Sequence, residues 1–365
     1  MDRTRAMKLL ERGRAFYQVH DSRAFGRFLL LYVGLGVLVG VFAILFHVAV
    51  EAAEWALLGQ LAGVRPATPG GEAPLFPATG VEPRTWMLLF VPSIAALLAG
   101  ILVDRYAPEA AGGGLNSVIR AYHAGESPRR RVVWIKTLAS ALVLGGGGSA
   151  GREGPVAQIG MSVGAIVGHA LRLSRREVLT LSAAGAAAGI GALFHAPVAS
   201  ALVVAEILYR EMELEHEVIV PAIIASIVAY SIYTIKFAWS PLFLLQGYRF
   251  ESPLELGPYL VLAVLLALQA RWFTAFYARV TDFFTRMNAP RWSKPAIGGL
   301  GVGLIAWLLP ATIGTGYGIL QEAFDGRIAI MTLLGLAMLK GVTTALTVGS
   351  GGSGGVFAPS MVIGG

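Results

Sequence analysis

Two charged residues stand side by side in a long stretch that otherwise has no charge. Between Thr137 and Leu171 the only charged residues are Arg152 and Glu153. Ionisable residues inside membrane segments are rare and mostly functional. Sequence neighbours do not face each other well on a helix, so an ion pair that merely holds the loop is the weaker interpretation. Glu153 is therefore a candidate for proton or ion chemistry.

The loop around Glu153 has the composition of an anion site. It runs from Gly145 through Gly151 and Gly154 to Pro155, and an apolar stretch follows. Proline is favoured in the first turn of a helix. The free N–H groups at such a helix start, with the positive end of the helix dipole, bind an anion without a cationic side chain. We predict that the Glu153 carboxylate occupies this site and competes there with a free anion. Protonation would neutralise the carboxylate, so that it leaves the site to the anion.

The same loop occurs again 204 residues later. Gly349 to Pro359 follows the glycine-rich pattern that ends at Pro155, and the same offset places Lys136 over Lys340. We interpret this as a two-fold internal repeat. Two helix starts, one from each copy, would point at one anion from opposite sides near the middle of the membrane. A second copy as long as the first would extend beyond Gly365, so the second repeat is predicted to be incomplete.

Long uncharged runs must position these loops in a membrane. The chain is 55% hydrophobic and 14% charged, with a mean hydropathy of +0.66, whereas soluble domains carry about 25% charged residues. Phe28–Val50 has 23 residues without charge, enough for a helix across a core of about 30 Å. The further runs are Thr85–Val103, Gly154–Leu171, Val178–Ala205, Val218–Ile235, Ala296–Leu320 and Gly341–Gly365. The chain is predicted to be an all-α polytopic membrane protein.

Two of these runs are predicted to be broken helices. One is interrupted between Phe194 and Pro197, and the other dissolves into glycine and serine after Gly349. Irregular backbone at membrane depth is tolerated only where it is buried in protein or lines a polar cavity. Broken helices usually mark a transport site. The predicted bundle has a first membrane repeat at 28–235 and a second at 236–365.

Positive charges predict the orientation in the membrane. Seven of the first 27 residues are Lys or Arg, and six more lie between Asp104 and Lys136, whereas the stretch from Glu51 to Arg84 has two. By the positive-inside rule, the basic segment 1–27 is cytoplasmic, as in a multi-pass protein of a plasma or inner membrane. The net charge of +7 is therefore explained by the orientation of the chain in a lipid bilayer, and no nucleic acid partner is expected.

Other chemistries find little support in the sequence. The chain has no Cys, which excludes disulfides and thiolate sites. No metal is expected, because the histidines lack metal-ligand spacing, and His47 and His195 are expected to be packed or hydrogen-bonded. The glycine patterns match a dinucleotide fingerprint only formally, so no cofactor is expected. An enzyme is not indicated, since no nucleophile or base cluster is present.

Glu206, in an apolar helix, is either a helix-end residue or a proton relay.

These motifs resemble the chloride channel (CLC) family, whose members include passive chloride channels and chloride/proton antiporters. The resemblance rests on Gly151 to Pro155, on Gly355 to Pro359, on Pro108 to Leu115, and on Phe194 to Pro197 followed by Glu206. It implies an inverted-repeat helical bundle that forms homodimers. It also implies a separate anion pathway in each subunit and chloride ions and protons as the transported species.

The resemblance implies roles for individual residues. Glu153 matches the family's gating glutamate and proton acceptor. The backbone amides that match anion donors are those of Arg152, Glu153, Gly154, Val356 and Phe357. The remaining positions of the anion-pathway loops are Gly112, Gly113, Gly114, Gly151, Pro155, Gly355, Ala358 and Pro359.

Three departures from the family pattern keep alternatives open. Gly113 and Asn116 stand where the family usually has the Ser and Pro of G-S-G-I-P, so altered anion selectivity, for example for nitrate, is an alternative. Ile207 stands where exchangers commonly have a second acid after the residue matching Glu206, so a passive channel, voltage- or pH-gated, is an alternative to antiport. The family's C-terminal tyrosine would lie beyond Gly365. A cation-coupled transporter of another family would need carboxylates or free carbonyls, whereas amide donors suit anions.

Overall fold

A computed structural model of the chain describes residues 22–124, 128–208, 216–237, 239–245, 250 and 252–365. Within these ranges all regular elements are helices, apart from one isolated bridge between Gly151 and Gly355. The prediction of an all-helical chain is confirmed. Most of the predicted cytoplasmic segment 1–27 lies outside the described residues, so its placement stays a prediction.

Eight α-helices form the first part of the fold within the residues that the structure describes. A π-helical segment, Trp55–Ala62, continues α1 directly, and short 3-10 turns flank α2 at Thr85–Leu89 and Pro108–Ala110. The α-helices are α1 Ser22–Glu54, α2 Val91–Tyr106, α3 Leu115–Ala124, α4 Arg131–Gly145, α5 Glu153–Ala170, α6 Arg175–Phe194, α7 Pro197–Leu208 and α8 His216–Lys236.

Five α-helices follow in the described stretch 252–365. Short 3-10 turns precede α9 at Pro253–Glu255 and follow α10 at Pro310–Thr312. The α-helices are α9 Leu256–Arg286, α10 Lys294–Leu308, α11 Tyr317–Phe324, α12 Ile330–Gly349 and α13 Phe357–Gly364.

Several helical stretches in the described part of the chain are long and apolar enough to cross a membrane. The first of them is longer than the predicted run 28–50, because Glu51 lies within the helix and accepts a hydrogen bond from the Leu75 amide at 2.8 Å. This acidic residue is thus satisfied inside the protein and does not end the helix. The six stretches are Gly26–Ala62, Thr85–Tyr106, Arg175–Phe194, Val218–Lys236, Pro253–Arg286 and Ile330–Gly349.

The predicted helix breaks are present. His195, with a left-handed φ of 56°, separates α6 from α7. The glycine-serine loop after Gly349 separates α12 from α13. A third break, which the uncharged run 296–320 did not predict, separates α10 from α11. It contains Gly314 and Gly316 with φ of 67° and 85°.

The two copies of the repeat contact each other through equivalent residues. The Ser140 and Ser353 hydroxyl oxygens lie 2.9 Å apart, and those of Ser149 and Thr344 lie 3.0 Å apart. The offset of 204 converts one pair into the other. Such self-complementary contacts indicate an approximate two-fold relation between the copies. The boundary between the repeats at residue 235 stays a prediction.

Glycines allow α5 to lie directly against α6. A Cβ atom on Gly160 would collide with the carbonyl oxygen of Gly185, and a Cβ on Gly185 would collide with that of Gly160. Small residues at helix contacts let membrane helices approach closely and pack through their backbones. This contact holds α5, whose first residue is Glu153, in a fixed position in the bundle.

Candidate functional site

Glycine-rich loops from both copies of the repeat meet in the centre of the fold. Gly151 and Gly355 donate their N–H groups to each other's carbonyl oxygens, at 2.7 Å in both directions. Gly112 donates to the carbonyl of Gly351 at 3.4 Å and accepts from the Gly354 amide at 3.3 Å. The structure thus brings together the three loops that the sequence predicts to line an anion pathway.

The loop of Gly112, Gly113 and Gly114 also touches the start of α5. A Cβ on Gly154 would collide with the Gly113 carbonyl oxygen, and a Cβ on Gly114 would collide with the Gly154 carbonyl oxygen. Gly112 and Gly114 have φ of 71° and 83°, in the region that glycine adopts without steric cost. Close backbone contact therefore requires glycine at positions 114 and 154, and the positive φ favours glycine at position 112.

Two helices begin where these loops meet. α5 begins at Glu153 and has Pro155 as its third residue, and α13 begins at Phe357 and has Pro359 as its third. The first N–H groups of a helix have no intrahelical partner, and they carry the positive end of the dipole. The predicted amide donors all lie in these two helix starts or at the residue before them.

The Glu153 side chain is buried between the two helix starts, with 3% of its surface exposed. Its Oε2 accepts a hydrogen bond from the Ala358 amide of α13 at 3.4 Å. Its Oε1 accepts a hydrogen bond from the Tyr317 hydroxyl. A Cβ on Gly151 would collide with this carboxylate. The carboxylate therefore fills the space on which the helix starts of both repeats converge.

Tyr317 is a site residue that the sequence analysis missed. It begins α11, directly after Gly316. Its ring contacts Phe194 and Phe243 in edge-on geometry, with centroids 6.5 and 5.6 Å away. The guanidinium carbon of Arg152 lies 5.8 Å from the ring centroid, within the range of a cation–π contact.

A sequence signal for Tyr317 exists, but at another offset. Gly314 and Gly316 repeat the positive-φ pair Gly112 and Gly114, with a spacing of 202 residues in place of 204. The offset changes from 202 to 204 between this loop and the matched lysines, because the second copy has two more residues there. Tyr317 therefore corresponds to Leu115, at the start of the equivalent helix.

Arg152 pairs with a distant acid and not with its neighbour Glu153. Its Nη1 and Nη2 donate to the two carboxylate oxygens of Glu72 at 2.7 and 2.9 Å, and both side chains are largely buried. Burial favours a higher pKa for Glu72, but Arg152 and His47 hold that pKa well below its ordinary value. The fixed positive charge beside the site is thus neutralised by Glu72, a residue for which the sequence offered no motif.

His47 connects this ion pair to further side chains. Its Nε2 lies 3.2 Å from Glu51 and 2.9 Å from Glu72, and its Nδ1 lies 2.6 Å from the Tyr233 hydroxyl and 3.3 Å from Arg152. Because Arg only donates, Nδ1 is assigned as the acceptor and Nε2–H as the donor. The ligand atoms of His47, Glu51 and Glu72 lie within 4.8 Å of one another and could hold a metal ion, although Arg152 already neutralises Glu72. The expectation of a hydrogen-bonded His47 agrees with these contacts.

Two buried lysines hold equivalent loops in place. The Lys136 ammonium donates to the carbonyl of Gly112 at 2.7 Å and to the carbonyl two residues earlier at 3.0 Å. The Lys340 ammonium donates to the carbonyl of Gly314 at 2.6 Å and to the carbonyl two residues earlier at 3.2 Å. The matched lysines of the repeat therefore hold equivalent loops through equivalent hydrogen bonds.

The Glu153 carboxylate lies between two spaces of very different size. One is a cavity of about 300 Å³, whose lining includes Glu153, Leu115, Phe194, Ile207 and Phe357. The other is a void of about 10 Å³ enclosed by Glu72, Arg152, Glu153, Leu193, Phe194, Leu242 and Tyr317. A void of that size holds at most one water molecule. There is therefore almost no room for an ion on this second side.

The structure does not bring Glu206 into this cavity. Its side chain is exposed, while the next residue, Ile207, lines the cavity that reaches Glu153. A role for Glu206 as a proton relay stays a prediction.

Comparisons of the sequence identify relatives. The model of the voltage-gated chloride channel family matches residues 95–365. The chain is 30% identical over 329 residues to "Uncharacterized protein MJ0305" of Methanocaldococcus jannaschii, covering 88% of this chain and 79% of that protein. It is 33% identical over 287 residues to the H(+)/Cl(-) exchange transporter ClcA of Yersinia pestis, covering 76% of this chain and 60% of ClcA. The chain thus corresponds to about three fifths of the exchange transporter's length.

Solved structures have the same fold. A slow cyanobacterial Cl-/H+ antiporter matches with a TM-score of 0.78 and 25% identity, covering 92% of this chain and 77% of that one. A CLC-type fluoride/proton antiporter matches with a TM-score of 0.77 over 94% of this chain and 80% of that one, and its 22% identity supports the fold alone. These relatives are named as transporters, which confirms at the level of the family that the chain is not an enzyme. On the match to the family model and the identity to these relatives, the chain belongs to the voltage-gated chloride channel family.

Proposed function

We propose that this protein moves chloride across a membrane in exchange for protons, with Glu153 as gate and proton acceptor. The observation that carries the proposal is the buried position of the Glu153 carboxylate between two helix starts. The amides there are donors for an anion, so a free anion and the ionised carboxylate compete for one place. Protonation removes the negative charge of the carboxylate and releases it, so proton uptake and anion entry become linked.

The groups around the carboxylate support an anion and not a cation as the transported ion. The groups that donate to the carboxylate are the Ala358 backbone amide and the Tyr317 hydroxyl. A sodium-coupled site would instead present carboxylates and free carbonyl oxygens. The name of the relative in Yersinia pestis, H(+)/Cl(-) exchange transporter ClcA, agrees with this assignment.

A passive chloride channel is the second candidate, and one observation favours it. Ile207, and not an acid, lines the cavity that reaches Glu153, so among the described residues Glu153 has no second carboxylate beside it on that wall. In this alternative Glu153 still gates the pathway, but no proton crosses the membrane with the anion.

Altered anion selectivity is a further alternative for the same site. Gly113 offers no hydroxyl at the position where the family usually has serine. Chloride and nitrate would then be distinguished by other donors along the pathway, Tyr317 among them.

The test uses the purified chain reconstituted in liposomes under a chloride gradient, with chloride and external pH followed together. Uphill proton movement driven by chloride supports exchange, and chloride flux without proton movement supports the channel. Absence of any anion flux contradicts both. Glu153→Gln is expected to abolish proton movement and the pH dependence of flux. Glu82→Gln, an exposed loop substitution, is the matched control and should behave as the wild type.

We also propose that the protein forms homodimers in a plasma or inner membrane, with a cytoplasmic N-terminus and repeats at 28–235 and 236–365. Family resemblance supports the dimer, and the distribution of Lys and Arg supports the orientation. Because the chain has no Cys, single cysteines can be introduced at Arg12 and Thr79 and labelled from outside intact cells. Label at position 79 and not at 12 is the expected result, and the reverse pattern would exclude this orientation.

A further inference from the structure

We infer that Tyr317 is an anion ligand of this pathway, whose hydroxyl holds the Glu153 carboxylate in the closed site and binds the anion once the carboxylate leaves. The inference deepens the proposed function and rests on the role proposed there for Glu153. It adds a side-chain donor from the second repeat to a site otherwise made of backbone amides.

The first step concerns the groups that donate hydrogen bonds to the carboxylate. Glu153 accepts a hydrogen bond from the Tyr317 hydroxyl on Oε1 and another from the Ala358 amide on Oε2. Both Glu153 and Tyr317 are only 3% exposed. If a free anion takes the place of the carboxylate, the donors of the carboxylate become the donors of the anion.

The second step is the rigidity of the tyrosine ring. Phe194 and Phe243 contact it edge-on, and the Arg152 guanidinium lies over it. Arg152 is itself fixed by its two hydrogen bonds to Glu72. With these neighbours on several sides, the hydroxyl keeps its place when the carboxylate moves away.

The third step is the state of the hydroxyl after the carboxylate has left. A buried donor without a partner is unfavourable, and hydrogen bonds to charged acceptors are stronger than those between neutral groups. An anion entering beside Tyr317 restores the lost bond. The hydroxyl thereby supplies the side-chain donor that Gly113 lacks, although from the opposite repeat.

Few other charged or titratable groups face Glu153. Arg152 lies beside it and is paired with Glu72, and α13 has no titratable side chain between Phe357 and Gly364. On the α6 side the neighbours are apolar, including Leu193 and Phe194. Among the described residues, Tyr317 is thus the titratable group that makes a hydrogen bond to this carboxylate.

The first experiment measures chloride binding with the gate removed. Chloride is titrated calorimetrically into Glu153→Ala and into Glu153→Ala combined with Tyr317→Phe, which loses one oxygen and keeps the ring. Loss of a hydrogen bond to a charged group should raise the Kd by about tenfold. Equal Kd values in the two variants overturn the inference and leave the proposed function intact. Absence of chloride binding in both overturns the inference and the proposed function together. Glu153→Ala with Tyr259→Phe, which alters an exposed tyrosine on α9, is the control.

The second experiment measures flux against pH with Glu153 present. Tyr317→Phe removes a donor to the ionised carboxylate, so protonation and release should occur at less acidic pH. The pH of half-maximal chloride flux is expected to rise by about one unit, and Tyr259→Phe should leave it unchanged. If the flux of Tyr317→Phe has the wild-type pH midpoint while the flux of Glu153→Gln does not depend on pH, Glu153 is the gate but Tyr317 is not its partner.

Discussion

Gly151 and Gly355 exchange two backbone hydrogen bonds of 2.7 Å each. The offset of 204 converts each residue into the other, so this pair lies at the contact between the two copies of the repeat. α5 begins two residues after Gly151, and α13 begins two residues after Gly355. One pair of hydrogen bonds therefore sets the separation of the two helix starts, and the site lies at the repeat interface, as in other transporters built from repeats.

Gly151→Ala is predicted to displace the gate. The new Cβ would collide with the Glu153 carboxylate, and overpacking by one methyl group costs about 1–3 kcal/mol. The population with the carboxylate seated should fall about tenfold relative to the released state. Chloride flux at pH 8, where ionised Glu153 closes the wild-type site, is therefore expected to increase severalfold in liposomes.

A glycine in open space provides the control for this substitution. Gly335 lies in α12, and an added Cβ would meet no atom within 4 Å beyond the backbone of its own helix. Gly335→Ala should keep the wild-type dependence of flux on pH. If Gly151→Ala also keeps it, with normal expression and melting temperature, the seated carboxylate does not limit flux.

Lys136→Met and Lys340→Met are predicted to destabilise the protein to a similar extent. Each lysine donates to at least two loop carbonyls, and its removal leaves buried acceptors without a partner, at about 3 kcal/mol in all. Melting temperatures in detergent should fall by several degrees. Lys294→Met is the control, because Lys294 also donates to a carbonyl, that of Phe284, but is only half-buried, so its removal should lower the melting temperature less. Unchanged melting temperatures in both buried-lysine variants would contradict the loop-holding role.

The sequence predicts much of this site because the repeat preserves backbone requirements. Three local features recur at one offset. They are glycines in left-handed or closely packed positions, prolines in first helical turns, and the matched lysines. They predicted the loops at Gly151 and Gly355 and the breaks at Pro197 and Gly349. The uncharged runs predicted the helices because charge is excluded from the membrane core.

Other parts of the site depend on tertiary contacts that no local pattern encodes. Glu72 lies in an irregular loop and reaches Arg152 from 80 residues away. Tyr317 belongs to a loop copy that the offset of 204 does not align. The continuation of α1 past Glu51 depends on partners for that acid, Leu75 and His47 among them. Apolar runs alone therefore locate helix ends poorly where buried acids have partners.

Glu72→Gln is predicted to destabilise the fold in a pH-dependent way. The pKa of Glu72 lies below its ordinary value in the folded chain, so its ion pair with Arg152 contributes fully above the unfolded value of about 4.3. That contribution is lost as the pH falls toward the folded value. At pH 7 the variant should lose about 3 kcal/mol, because the Arg152 charge stays buried without its partner.

Melting curves of wild type and Glu72→Gln between pH 7 and pH 3 test this expectation. The gap in melting temperature should be largest at neutral pH and should narrow below about pH 4. The exposed substitution Glu82→Gln should show no gap. A gap that widens on acidification would mean that Glu72 is protonated in the folded protein at neutral pH.

Ile207→Glu is predicted to increase proton coupling, and Glu206→Gln is predicted to leave it unchanged. Ile207 lines the cavity that reaches Glu153, whereas Glu206 is exposed. A carboxylate at position 207 would lie on the wall of the cavity that reaches Glu153 and could pass protons to it. Ile207→Gln is the control, because it adds a polar group that does not carry protons. The ratio of protons to chloride in liposome flux is the measurement. A fall in this ratio in Glu206→Gln would instead assign the relay to Glu206, with protons reaching Glu153 by a route outside this cavity.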